Sequence, residues 1–263
     1  MQLDLDQRHA LVCGASRGIG RAVANELARL GATVTVLARS REVLEQVVAE
    51  LATPNPATRH GLCVADMRDT AALARAVREC VAGRRVEILV HNSGGPPAGR
   101  ASEAQPEDFA AAFAQHVISG QVLLQHVLAG MREAGYGRLV NIISTSVKEP
   151  IANLGVSNTV RAAVAAWAKT LSGELAGDGI TVNNVLPGFT ETDRLSSLIA
   201  ERARAQSRSE TEIAQAMRAQ VPAGRFGKPD EIAAVATFLC TPAAAYVNGV
   251  SIAVDGGRTR SLS

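Results

Sequence analysis

The chain has 263 residues, of which 47% are hydrophobic and 20% charged, with a formal net charge of +2. That length suits one large α/β domain or two small ones, and that apolar share fills a sizeable core. The near-balanced charge argues against a nucleic-acid or other polyanion partner, and no apolar run approaches the roughly 18 residues that span a membrane.

Ala10 to Cys13 is a short apolar run with charge before it and glycine after it, the pattern of a buried strand. The turn Gly14-Ala-Ser-Arg-Gly-Ile-Gly20 follows, and 21–30 then sets Val23, Leu27 and Leu30 on one helical face. Gly31 stops that helix, and 32–38 reads as a second strand. A helix near 40–52 ends at Pro54-Asn55-Pro56, a strand near 59–65 runs to Asp66, and a helix near 70–82 runs to Gly83. An apolar strand at 86–91 leads into Asn92-Ser93-Gly94-Gly95, and a long helical region covers 106–134 with Gly120 inside it. The remaining elements are a strand at 139–144, a helix at 155–176, a strand at 180–186 ending in Pro187-Gly188, a charged helical stretch at 193–220, a helix at 229–240 and a strand at 250–254.

Strands and helices alternate without a repeat, a low-complexity segment or a linker-like shift in composition. The pattern predicts one domain over 1–263, a doubly wound parallel sheet of the Rossmann type with helices on both faces. Strand, glycine turn, helix and strand together place a pyrophosphate against a helix N-terminus. In that turn Gly18 lets the backbone approach a phosphate with no β-carbon in the way, and Gly20 permits close helix–strand packing. Ligands of such sheets bind beyond the carboxyl ends of the strands, which makes candidates of 14–20, 38–40, Asp66, 92–95, Ser144 and 187–192. Cys13, Cys63, Cys80 and Cys240 lie far apart with no Cys-x-x-Cys pair, so free thiols are expected and no metal site. The acidic N-terminus is unlike a secretory signal, and a cytoplasmic setting is expected.

Over about residues 5–257 the sequence resembles the short-chain dehydrogenase/reductase family, and most of all its oxoacyl-reductase branch. The matching pieces are Gly14 to Gly20, Asp66, Asn92-Ser93-Gly94, Asn141-Ile-Ile-Ser144, Asn183 to Thr192, Gly224 to Glu231 and Val254 to Gly257. The resemblance implies NAD(P) binding, with Gly14, Ser16, Arg17, Gly18, Ile19 and Gly20 around the pyrophosphate. It implies Asp66 and Met67 at the adenine, and Asn92, Ser93 and Gly94 beside the adenine ribose. Pro187, Gly188 and Thr192 would border the nicotinamide carboxamide. A small-molecule carbonyl or alcohol substrate, a helical substrate lid over about 193–220, and a homotetramer or homodimer paired through 106–134 and 155–176 are implied as well. A cofactor without a 2′-phosphate is usually held by an acidic residue at the end of the second strand. Ala38 stands there, followed by Arg39, with Arg17 in the glycine turn, so NADP(H) is expected over NAD(H).

The reaction end departs from the family, whose members usually carry an Asn, a Ser and a Tyr-x-x-x-Lys. Ser144 stands at the Ser position, seven residues after Gly137. Thirteen residues later the Tyr position holds Ser157, the Lys position holds Arg161, and the Asn position in the preceding helix holds His116. A phenol can be brought toward neutrality by a neighbouring cation, whereas an aliphatic hydroxyl cannot, and a guanidinium does not give up its proton. Arg161 can still bind the nicotinamide ribose or stabilise a developing alkoxide, and His116, as an imidazole, is the best replacement proton donor. Lys148 and Glu149 follow in the loop, while Tyr136 and Tyr246 lie off the required spacing and read as structural.

Three functions are therefore open. The first is an NADP(H)-dependent oxidoreductase in which Ser144 and Ser157 bind the carbonyl, Arg161 supplies charge, and His116 or water relays the proton. The second is an NADP(H)-binding protein without turnover, a sensor or partner subunit. The third is a non-redox, lyase-like enzyme. Dehalogenase relatives also carry Arg at the Lys position, but they keep the Tyr and lack the glycine turn, the reverse of this chain.

Overall fold

His9–Cys13 forms the central strand β1, buried along its whole length. The computed structural model describes residues 1–262. Around β1 lie β2 (Thr33–Ala38), β3 (Gly61–Val64), β4 (Ile88–Asn92), β5 (Gly137–Ile142), β6 (Ile180–Pro187) and β7 (Ser251–Val254), in one sheet of order 3-2-1-4-5-6-7. Every pairing is parallel. The helices are α1 (Gly18–Arg29), α2 (Arg41–Glu50), α3 (Thr70–Cys80), α4 (Pro106–Phe113), α5 (Ser119–Ala134), α6 (Gly155–Glu174), α7 (Asp193–Gln206), α8 (Glu210–Arg218) and α9 (Pro229–Cys240).

Alternate side chains of each strand enter opposite layers. Ala10 and Val12 pack with Val23 and Leu27 of α1, Leu44 of α2 and Ile232 of α9. Leu11 and Cys13 pack with Leu73 of α3, Leu123 of α5 and Ala168 of α6. Both faces of the sheet are thus covered, which is why the strands read as continuous apolar runs. The strand order reverses between β1 and β4, and their carboxyl ends diverge there to leave a crevice.

Three expected elements differ in detail. The helical region 106–134 is interrupted by a π-helical turn at Ala114–Ile118 between α4 and α5. Beyond it a β-carbon on Gly120 would lie 3.1 Å from the Trp167 ring, so this helix packs unusually close to α6. The strand expected at 139–144 runs from Gly137 to Ile142, which puts Ser144 past the strand end as the cap of a 3-10 turn, Thr145–Val147. The charged stretch 193–220 is two helices, α7 and α8, parted at Ser207 with φ of 49°. They share a small apolar core of their own around Leu195, Ile213, Met217 and Phe226.

Cys13, Cys63 and Cys240 are buried free thiols, and Cys80 is half-buried. Tyr136 is buried with the Arg8 and Arg138 guanidiniums 4.0 and 3.9 Å from its ring centre, and its hydroxyl donates to the Cys240 carbonyl at 2.5 Å. Tyr246 is fully exposed. Among the described residues no helix is long and apolar enough to cross a membrane, and no group of His, Cys, Asp and Glu side chains could hold a metal.

Candidate active site

The carboxyl ends of β1, β2, β4, β5 and β6 open into one cleft of about 1440 Å³. That exceeds the volume of a typical small-ligand pocket and leaves room for a dinucleotide with a second molecule beside it. Its first wall is the glycine turn. Helix α1 begins at Gly18, and Arg17 at its N-cap makes no side-chain capping bond. The first-turn N–H groups and the positive end of the helix dipole are left for an anion. A β-carbon on Gly18 would stand 3.2 Å from the Thr192 methyl across the cleft, narrowing the anion's place. One on Gly20 would collide with the Gly14 carbonyl oxygen, so Gly20 stands behind the turn as a packing residue and does not line the cleft. Asn92 braces the same turn from β4, its Nδ2 donating to the carbonyls of Cys13 at 3.3 Å and Gly14 at 3.4 Å.

At the β2–β3 end, Arg68 donates to both carboxylate oxygens of Asp66, with Nη2 at 2.7 Å from Oδ2. Those bonds, from the Arg68 side chain first and its backbone N–H as well, hold the Asp66 carboxyl below its ordinary range. Arg39 is exposed, lines the cleft and makes no ion pair among the described residues, and Met67 lies beside Asp66. Arg17 was expected to share the ribose with Arg39. Instead its Nη1 reaches Asp193 Oδ2 at 2.7 Å, from the start of α1 to the start of α7. Both partners are 71% exposed, so the pair adds at most about 1 kcal/mol and yields readily to a stronger anion.

At the other end Ser93, Gly94, Ser144, Ser157, Arg161, Pro187, Gly188 and Thr192 share the lining. The Ser144 hydroxyl accepts from the Ser146 N–H at 3.1 Å. Ser157 lies in the first turns of α6 and Arg161 one turn further on. The Arg161 guanidinium is buried, with Nη1 donating to the Ile142 carbonyl at 3.0 Å and Nη2 to the Ser93 carbonyl at 3.3 Å. Burial, with the Arg194 charge behind it, lowers its pKa to about 10, so it stays a cation at neutral pH. Its Nε is buried without a partner.

His116 stands apart from the cleft lining. It lies in the π turn, buried. Its Nδ1 and the Ser93 hydroxyl are 2.7 Å apart, and Nε2 has no partner. Burial, then the charges of Arg161 and His91, push its pKa down to about 2. Held neutral near pH 7, the ring lacks the imidazolium proton that a general acid gives up. Lys148 and Glu149 also lie off the cleft, with Glu149 accepting from the Arg260 N–H at 2.7 Å.

Several lining residues had no signal in the motifs: Arg68, Gln115, Arg194, Arg202 and Arg258. Gln115 Nε2 holds the Gly94 carbonyl at 2.8 Å, and Arg194 Nη2 holds the Pro96 carbonyl at 2.8 Å. Arg202 lies within the charged stretch and Arg258 directly after Val254-Asp-Gly-Gly257, and only the folded chain brings them to one cleft.

A parallel sheet with its cleft at the switch point, an uncapped helix N-terminus behind a glycine turn and a buried cation at the far end define a dinucleotide-binding α/β protein. Residues 14–259 match the family model described as Enoyl-(Acyl carrier protein) reductase. The chain belongs to the short-chain dehydrogenase/reductase family, a family of oxidoreductases. It is 30% identical over 260 residues to the NADPH-dependent reductase BacG of Bacillus subtilis, covering 98% of this chain and all of that protein. It is 35% identical over 257 residues to the 3-oxoacyl-[acyl-carrier-protein] reductase FabG of Vibrio cholerae, covering 97% and 98% of the two chains. Its fold is similar to that of L-sorbose reductase from Gluconobacter frateurii, complexed with NADPH and L-sorbose, with a TM-score of 0.91, 26% identity and full coverage of both chains.

Proposed function

We propose that the chain is an NADP(H)-dependent reductase that interconverts a carbonyl and an alcohol through a Ser144, Ser157 and Arg161 site. The observation that carries this reading is the buried Arg161 guanidinium, fixed on the Ile142 and Ser93 carbonyls beside the two serines. The residues fit the cofactor. The uncapped start of α1 and the Gly18 gap suit the pyrophosphate, and Arg39, free of any ion pair, suits a 2′-phosphate where Ala38 removes the acid that an unphosphorylated ribose would need. Asp66 and Met67 would flank the adenine, Asn92, Ser93 and Gly94 would run past its ribose toward Arg161, and Pro187, Gly188 and Thr192 would border the nicotinamide. Two homologous reductases that use NADPH by name support the phosphorylated form.

When bound, the dinucleotide supplies or accepts the hydride. The chain's own part is to orient and to hold charge. The Ser144 and Ser157 hydroxyls hydrogen-bond the carbonyl oxygen, and Arg161 stabilises the negative charge that develops there. The alkoxide takes its proton from a serine hydroxyl, which is reprotonated by water in the open cleft, and the hydroxide so formed is neutralised in bulk solvent. Helices α7 and α8 form the substrate lid, anchored on their own small core. The same reading pairs subunits through α4, α5 and α6, where Phe113 and Ile118 are each 42% exposed.

The test is stopped-flow oxidation of NADPH against a carbonyl panel, with NADPH and NADH affinities measured by fluorescence titration. NADPH should bind more tightly, and Arg39→Asp should weaken it by about ten- to a hundred-fold while sparing NADH, as loss of charge-assisted bonds to a phosphate requires. Equal affinities for the two nucleotides would refute the cofactor assignment. A second reading, NADP(H) binding without turnover, is favoured by one observation: among the described residues no Tyr, His, Lys or Cys lines the cleft. Tight NADPH binding with no oxidation across the panel would establish it.

A further inference from the structure

Seven arginines line the cleft against three carboxylates, Asp66, Glu191 and Asp193. Asp66 is taken by Arg68 and Asp193 by Arg17, while the cation that Glu191 acts on is Arg225, outside the cleft. Arg39 lies at the adenosine end. Arg161, Arg194, Arg202 and Arg258 are left, and none of them has a carboxylate within ion-pair distance among the described residues.

These four come from distant parts of the chain and meet in two pairs. A β-carbon on Gly95 would be 3.7 Å from Arg161 Nη2 and 4.0 Å from Arg194 Nη2, so both guanidiniums close on the same backbone segment. The second pair joins α7 to the segment after β7. The Arg258 guanidinium lies over the Phe189 ring at 4.5 Å, and its Nη1 donates to Thr145 Oγ1 at 3.5 Å, the residue after Ser144. Its Nε is buried without a partner. Arg202 on α7 is half-buried and lines the same cleft, and burial, then the nearby Arg258 charge, lower its pKa. Like charges gathered without counter-charge are costly, and the cost grows as water is excluded. A bound oxyanion reverses it, since a guanidinium presents a fork that matches a carboxylate or phosphate.

We infer that the substrate carries an oxyanion, a carboxylate or phosphate, held by Arg202 and Arg258 a short distance from the carbonyl at Ser144. Phe189, Leu195 and Leu198, which belong to one apolar cluster and line the cleft, supply apolar surface for the rest of the molecule. The inference rests on the reductase reading for the word substrate, but the anion site itself is a binding property and is measured without turnover.

The experiment is calorimetric titration of the NADPH-loaded protein with matched pairs: acetoacetate against methyl acetoacetate, levulinate against methyl levulinate, and dihydroxyacetone phosphate against dihydroxyacetone. NADPH oxidation is followed on the same samples. The anionic member of at least one pair should bind ten-fold or more tightly than its neutral partner, and the pair that responds separates carboxylate from phosphate. Arg202→Met and Arg258→Met should each erase most of that preference, with NADPH affinity as the check that the variant is folded. Arg202→Lys, which keeps the charge and loses the fork, should retain part of it. Neutral members binding as well as anionic ones, no binding by any member, or an undiminished preference in both Met variants would overturn the inference. Preferential binding of the anions without NADPH oxidation would instead sink the reductase reading and leave the anion site standing.

Discussion

His116 offers the sharpest test of how this site works, because its role and its protonation stand or fall together. In an unfolded chain an imidazole titrates near 6.5, whereas burial holds His116 at about 2 in the folded protein. Between those values the unfolded state binds a proton that the folded state refuses, so stability rises with pH and is lost as pH falls below about 6.5. From pH 7.5 to pH 5 this one group removes about 2 kcal/mol. His9 and His91, both lowered to about 4 chiefly by burial, act in the same direction and remove about 2 kcal/mol each over the same window. His116→Asn keeps a side-chain partner for the Ser93 hydroxyl and removes the titration. Urea unfolding, followed by the fluorescence of Trp167, the only tryptophan, should show the variant losing about 2 kcal/mol less than wild type between pH 7.5 and 5. Its turnover should escape the hundred- to ten-thousand-fold loss that removing a general acid brings. Parallel pH dependence of stability in the two proteins, or a hundred-fold loss of turnover, would refute the neutral, non-donating His116.

Two further outcomes follow from the same geometry. Ser157→Tyr combined with Arg161→Lys rebuilds the family's phenol and ammonium, and should raise the rate of NADPH oxidation by about a hundred-fold if proton delivery limits it; an unchanged or lower rate in a folded double variant would show that another step limits. Gly20→Ala drives a methyl group into the Gly14 carbonyl, and should destabilise the fold by about 1–3 kcal/mol and weaken NADPH binding with it, read by urea unfolding and fluorescence titration.

The fold was legible because buried parallel strands announce themselves. Ala10 to Cys13 and Ile88 to Val90 are uninterrupted apolar runs, since both their faces meet helices. The glycine spacing likewise located the turn beneath α1. What escaped the sequence has physical causes. Nothing in Gln115-His-Val-Ile118 marks the π turn that joins α4 to α5. Arg17 meets Asp193 across 176 residues of chain, a pairing that local charge cannot foretell. His116 has the right chemistry for a proton donor, but its burial against Ser93 and Arg161 decides its charge, and burial is a property of the whole fold. The arginines at 202 and 258 look like ordinary solvated charges until α7 and the segment after β7 bring them to one cleft.

Arg161 is also a brace. By gripping the Ser93 carbonyl at the end of β4 and the Ile142 carbonyl at the end of β5, it rivets the two loops that shape the reaction chamber. A lysine's compact ammonium lacks the fork that reaches two carbonyls at once, and spans that gap less well. Exchanging Arg161 for the family's amine therefore trades a fixed frame for a proton path, and the two loops gain freedom as the chemistry returns.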